Sequence, residues 1–379
     1  MHIAFLTPEY PHKNLKRSAG LGTSIKNLAT GLIQAGVSVT VFVVFQQENR
    51  TFYDNNIKIV SISRKGYKFF GWYLERKHIQ HCIQQEITSS NIDIIEAPDW
   101  TGITAFMKFS VPIVIRLHGT DAYFCNLEGR KQKRKNYFLE KTALKQANCI
   151  VSVSNFTANK TKEIFALKKP ITTIYNGINT ETFKPLEVPV AENAILYFGT
   201  IIRKKGVLEL ARAFNILIEE KPEATLQLLG KDVIDVFEKK STLELFFNIL
   251  SDKAKKQVIY LEEVHYSKVA EIISKSSLVT LPSFAEAFPM TWLEAMAMEK
   301  ALVTSNIGWA NELMIDEVNG FTINPKDHQK YASRMKILLD DSSLSIKFGI
   351  NARKRVLDSF DTTLIVAKNI SFFKNLIKQ

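Results

Sequence analysis

A chain of 379 residues, 46% hydrophobic and 23% charged, has the material for two or three globular domains, which excludes a disordered or fibrous protein. Its 50 Lys and Arg against 38 Asp and Glu leave a formal net charge of +12, which suits phosphate-bearing substrates, anionic lipid and nucleic acid equally. The 3 cysteines, Cys82, Cys125 and Cys149, are widely spaced with no CxxC pair, so a disulfide framework is excluded and reduced thiols in a cytosolic protein are expected.

The opening MHIAFLTPEY carries no basic segment, and its apolar run is too short for a signal peptide. No stretch approaches the roughly 18 apolar residues of a membrane span, so any membrane contact is expected to be peripheral. HIAFLT reads as a buried strand, GTSIKNLATGLIQAG as a helix stopped at Gly36, and VSVTVFVVF as a second strand. IKIVSI, IDIIEA, PIVIRLHG, CIVSVS and ITTIYNG continue the strands, with helical text such as WYLERKHIQHCIQQEI and KRKNYFLEKTALKQA between them. The pattern pauses at KPLEVPVAEN, residues 184–193, where two prolines and little periodicity place the interdomain linker.

A second series follows. AILYFGT, ATLQLLG, QVIYLEE, SLVTLPS, ALVTSN and NGFTINP read as strands, and GVLELARAFNILIEE, YSKVAEIISKS and MTWLEAMAME as helices; TTLIVAKNISFFKNLIKQ is amphipathic. Alternation of this kind predicts an α/β protein of two Rossmann-like, doubly wound parallel-sheet domains, 1–185 and 190–360, facing across a cleft. No repeat of 20 to 50 residues interrupts it, which excludes a solenoid.

Ligands of such sheets sit beyond the carboxyl ends of the strands. In FAEAFPMTWLEAMAM, residues 284–298, Pro289 marks the start of a helix, with Glu286 in the loop before it and Glu294 more than one turn inside. The amides of Met290, Thr291 and their neighbours then make an anion site suited to phosphate, flanked by two carboxylates suited to sugar hydroxyls. Spacing alone leaves open a charge near the helix start and a solvated helix residue. SAGLGTS, residues 18–24, puts Gly20 and Gly22 between the first strand and its helix, where a backbone approaches a ligand or merely turns. TIIRKKG offers Arg203, Lys204 and Lys205 to a diphosphate, or a solvated basic turn. RLHGTD sets His118 at a strand end, able to hydrogen-bond a sugar or assist proton transfer, or serving structure alone. No metal-ligand motif, GxSxG elbow, Walker lysine or GxGxxG appears, so no metal and no cofactor are expected. Two basic stretches with aromatics, RKGYKFFGWYLERKH (64–78) and GRKQKRKNYFLEK (129–141), suit an anionic membrane surface, a nucleic-acid patch or plain solvated helices.

Together these residues resemble the retaining GT-B glycosyltransferases of the family 4 type, over nearly the whole chain and most strongly from about 195 to 325. FAEAFPMTWLE carries the E-x7-E motif at Glu286 and Glu294, YFGTIIRKKG supplies Gly199, Lys205 and Gly206, YNGIN lies at Asn176–Asn179 before the linker, and a later segment matches at Gly308 and Glu312. The resemblance implies transfer of a sugar, with retained configuration, from a nucleotide-diphosphate sugar to an acceptor hydroxyl, as a metal-independent hexosyltransferase. Glu286 would bind the donor sugar, Glu294 the ribose, and Lys205 the diphosphate. The amides of Phe288, Met290 and the neighbours of Pro289 would face sugar and phosphates; Gly20 or Gly22 would approach the diphosphate, and His118 the sugar. The last helix, about 361–379, would pack back on the first domain. The partner so implied is the nucleotide sugar, with no nucleic acid; the basic stretches of the first domain, read on their own, point to a carbohydrate or lipid-linked acceptor of cell-surface polysaccharide or glycolipid synthesis and to an anionic membrane surface at the cytoplasmic face. Thr200 stands where the family often has arginine, leaving Arg203 as a substitute, and Trp309 replaces a glycine and would reshape the pocket. A sugar-nucleotide epimerase, a non-catalytic sugar-nucleotide regulator and a nucleic-acid-binding protein are the alternatives.

Overall fold

The computed structural model describes residues 1–15 and 20–378 and divides into two compact units, 1–177 with 361–379, and 178–360. Ser18 and Ala19 of the glycine segment lie outside the described residues.

The first unit runs β1 His2–Thr7, α1 Gly20–Gln34, β2 Ser38–Gln46, β3 Arg50–Asp54, β4 Ile57–Ser63, α2 Gly71–Ser90, β5 Ile94–Pro98, β6 Ile113–Leu117, α3 Asp121–Leu127, α4 Arg134–Gln146, β7 Cys149–Ser152, α5 Asn155–Phe165 and β8 Ile171–Thr173. The second runs β9 Ala194–Phe198, α6 Val207–Glu220, β10 Thr225–Leu229, α7 Thr242–Ile249, α8 Asp252–Lys255, β11 Val258–Leu261, α9 Val269–Ser274, β12 Leu278–Leu281, α10 Met290–Ala297, β13 Ala301–Ser305, α11 Ala310–Leu313, β14 Phe321–Ile323, α12 His328–Asp340 and α13 Ser342–Ser359. The chain then returns to the first unit as α14, Thr362–Ile377.

The first sheet has the order β3-β4-β2-β1-β5-β6-β7-β8, parallel except for β3, which pairs antiparallel with β4. Side chains alternate across it because strand residues point to opposite faces in turn. Ile3 and Phe5 of β1 join α1 and α14 in one core, whereas Ala4 and Leu6 join Ile79, Ile83 and Ile87 of α2 in another. Gly31 lets α14 lie close on α1: a Cβ there would stand 2.5 Å from Val366 Cγ2. The second sheet, β11-β10-β9-β12-β13-β14, is all parallel and reverses its winding between β9 and β12.

Two expectations need correction. The division falls between Gly177 and Ile178, ahead of the proline-bearing 184–193, because residues after 177 already pack on the second unit: Ile178 N donates to Phe360 O at 3.0 Å and Arg353 Nη1 to Phe183 O at 3.2 Å. Gly20 and Gly22 sit in the first turn of α1 instead of a loop before it. The three cysteines are free thiols, and among the described residues no helix is long and apolar enough to cross a membrane.

Candidate active site

The winding reversal of the second sheet separates the loops that leave β9 and β12, the place where doubly wound sheets hold ligands. Main-chain contacts lock those loops together. Phe284 N donates to Lys204 O at 2.7 Å, and Gly206, at φ 74°, lies so near Pro282 that a Cβ would stand 2.0 Å from its carbonyl oxygen. Only glycine fits that approach and that dihedral.

The lock sets Lys205 and Glu286 side by side, with Nζ 3.0 Å from Oε1 and side chains 18% and 14% exposed. Ser283 Oγ donates to the same Oε1 at 3.0 Å and fixes the carboxylate's rotamer. Gly199, at φ 128°, leaves the floor open: a Cβ would meet Lys205 Nζ at 3.5 Å and Thr291 Cγ2 at 3.7 Å. Beyond it α10 begins at Met290, with Pro289 in the capping position and no side chain capping the first turn. The leading amides of Met290 and Thr291 therefore present the positive end of the helix. Phe288 and Pro289 bury their side chains, Phe288 edge-on to Phe360 at 5.5 Å, which leaves only their main chain to face a ligand.

Glu294 lies inside α10, buried, with Tyr266 Oη donating to its Oε1 at 2.7 Å. Burial pushes its carboxyl up to about 7, against the Tyr266 hydrogen bond and the Lys205 charge. Burial and the Glu286 charge raise the Tyr197 phenol well above its ordinary value, and its hydroxyl donates to Thr200 O at 2.9 Å. Lys205 thus faces one carboxylate at contact distance and biases a second.

Arg203 is committed elsewhere. Its Nε and Nη2 reach Asp235 Oδ1 and Oδ2 at 2.8 and 3.1 Å, Nη2 reaches Glu238 Oε1 at 2.7 Å, and it lies over the Phe237 ring at 5.4 Å. It braces the segment after β10 and is not aimed at the Lys205 turn. Trp309 is fully buried, so it fills the core of its unit where a pocket wall was expected.

The remaining sequence candidates belong to the first unit. His118 follows β6; its N–H donates to Asp99 Oδ1 at 3.0 Å, and Gly119 N donates to Oδ2 at 3.1 Å. Burial, with the Arg116 charge, pushes the imidazole down to about 3, so it is neutral at physiological pH and serves as a hydrogen-bonding group. Gly22 N already donates to Glu9 Oε1 at 2.8 Å, while Gly20 has open space where a Cβ would stand. Sequence reasoning missed Ser283, Tyr266, Asp99 and Glu9. Ser283 and Asp99 each follow the end of a strand by one or two residues, a signal within reach; Tyr266 and Glu9 act only through tertiary contact.

Two family models match the chain: Glycosyltransferase Family 4 over residues 18–182 and Glycosyl transferases group 1 over 178–355. An uncharacterized glycosyltransferase of Methanocaldococcus jannaschii is 24% identical over 99% of this chain and 98% of its own. Among solved structures, sucrose-phosphate synthase from Thermosynechococcus elongatus superposes with a TM-score of 0.83 at 17% identity, over 100% of this chain and 99% of that one. Anabaena HepE in complex with UDP and glucose superposes with 0.76 at 18%, over 99% and 100%. With the matches meeting at the boundary between the units and a winding-reversal site in the second, the chain belongs to the family 4, group 1 glycosyltransferases of GT-B fold.

Proposed function

We propose that this glycosyltransferase moves a hexose from a nucleotide-diphosphate sugar to an acceptor hydroxyl with retention of configuration and without a divalent metal. The observation that carries the reading is the Lys205–Glu286 pair set against the uncapped start of α10, with Glu294 one turn further in. A diphosphate meets Lys205 and the amides of Met290 and Thr291, which neutralise charge as it develops on the leaving group. Glu286, already oriented by Ser283, accepts from the sugar hydroxyls near the reacting carbon. Glu294 accepts from the ribose diol in place of the Tyr266 hydroxyl. The leaving phosphate takes the acceptor's proton as the new bond forms on the same face. His118, neutral, is proposed as a hydrogen-bond partner of the donor sugar, and Gly20 as a main-chain neighbour of the diphosphate. The UDP and glucose bound by Anabaena HepE support a nucleotide-hexose donor. We further propose a polysaccharide or lipid-linked acceptor in cell-surface synthesis at the cytoplasmic face.

The test is thermal stabilisation by a panel of UDP-, GDP- and ADP-sugars. The cognate donor at a hundredfold excess over Kd stabilises by about 2.7 kcal/mol, and Lys205→Ala removes most of that gain. No stabilisation by any nucleotide sugar, or a gain that survives Lys205→Ala, overturns the reading.

A further inference from the structure

We propose that a basic aromatic face of the first unit docks on an anionic lipid bilayer. It is assembled from the two stretches 64–78 and 129–141, which the fold brings together. Lys135 Nζ lies 5.6 Å over the Trp72 ring, and Phe106 bridges the segments with its centroid 5.7 Å from Trp72 and 6.0 Å from Phe138.

The fold separates charge by sign on this face. The two acids of these stretches are both buried. Glu75 accepts from Lys65 N at 3.1 Å, and Glu140 takes the amides of Asp121 and Ala122 and the side chain of Gln132. Nearby Glu128 is paired with Arg130, and Asp121 with Asn136. Lys65, Lys68, Lys131, Lys133, Arg134 and Lys135 are all exposed. What reaches solvent is therefore cationic, and each such cation near an anionic surface is worth roughly a fivefold gain in partition.

Between the cations stand apolar tips. Phe69 is 77% exposed, Phe70 74% and Phe138 55%. Phe70 is held at φ 52° ahead of α2, a conformation that costs a non-glycine residue energy. Adjacent exposed phenylalanines that follow exposed Lys65 and Lys68 in the chain match the boundary between headgroups and acyl chains. Adenine readout by side-chain amides has little to use here, because Gln132 and Asn136, the amide side chains of the two stretches, donate to Glu140 and Asp121.

The full chain is sedimented with vesicles of phosphatidylcholine alone and of phosphatidylcholine mixed with phosphatidylglycerol. Binding is expected on the mixed vesicles only, weakening as salt is added. Lys131→Glu with Lys133→Glu lowers the partition by at least about twentyfold, and Phe69→Ser with Phe70→Ser by roughly tenfold. Lys239→Glu with Lys240→Glu, the same charge change on exposed lysines of the other unit, leaves it within about twofold. Equal binding to neutral vesicles, equal loss from both lysine pairs, or no loss from any variant overturns the proposal. So does an oligonucleotide that binds more tightly than the mixed vesicles and is indifferent to the phenylalanine change. The readout needs no donor or acceptor, so its failure leaves the transferase reading standing, and the reverse holds too.

Discussion

Each unit places an ion pair near the carboxyl ends of its central strands, and the two pairs differ in kind. In the first, Arg116 and Glu96 are buried and bidentate, at 2.7 and 2.8 Å, and the guanidinium also reaches Ile174 O and Asn369 Oδ1 at 3.3 and 2.5 Å. Its donors are consumed by the protein itself, and it ties α14 to the sheet. In the second, Lys205 and Glu286 meet through one short contact, remain partly exposed, and lie beside helix amides that no side chain caps. A pair saturated by its own fold holds structure; a partly exposed pair beside a helix start without a side-chain cap has the geometry that the proposed donor site uses.

Substitutions can break or sharpen that contrast. Arg116→Ala strands a buried carboxylate and is expected to destabilise the first unit by roughly 3–5 kcal/mol in denaturant unfolding, the largest stability effect considered. Glu286→Ala is expected to cut transfer about a thousandfold while unfolding moves by roughly 1–2 kcal/mol, less than for Arg116→Ala because its ion pair stays partly exposed. A variant that loses stability and keeps turnover would erase the distinction.

Glu294 gives a pH signature. Its folded carboxyl, at about 7, lies above the ordinary 4.5, so the protonated form is favoured by folding. Stability from this group is full below about 4.5 and is lost as pH rises through 7. Asp99, raised to about 8, and Glu140, raised to about 7, slope the same way in the first unit, so the wild-type-minus-variant difference isolates the site. Glu294→Gln is expected to close that difference by roughly 1–3 kcal/mol between pH 4.5 and 7.5 in urea unfolding. Donor KM in the wild type is expected to fall by a few-fold over the upper part of the same window, as the carboxylate forms. Arg203→Ala, which removes a brace, is expected to lower kcat/KM less than about fivefold in steady-state assays.

The sheets were legible because buried parallel strands are continuous apolar runs bounded by turn residues. β3, RTFYD, was not: it pairs at an edge and carries no such run. α12 and α13 escaped because their apolar positions are sparse and only Asp341 separates them. At the site, Pro289, Glu286 and Glu294 could be placed because a helix start is a local signal. Arg203's attachment to Asp235 and Gly22's to Glu9 could not, since each depends on a partner brought near only by folding. The same holds for the basic stretches, whose text gave composition and whose inward-turned acids required coordinates.

The return of α14 to the first unit has a consequence for biosynthesis. The second unit is one continuous span, 178–360, whereas the first needs residues from both sides of it. On the ribosome the second unit can therefore complete its core while the first still waits for its closing helix. Until Ile365, Val366 and Phe373 emerge, the apolar face of α1 around Gly31 stays open to chaperones and proteases.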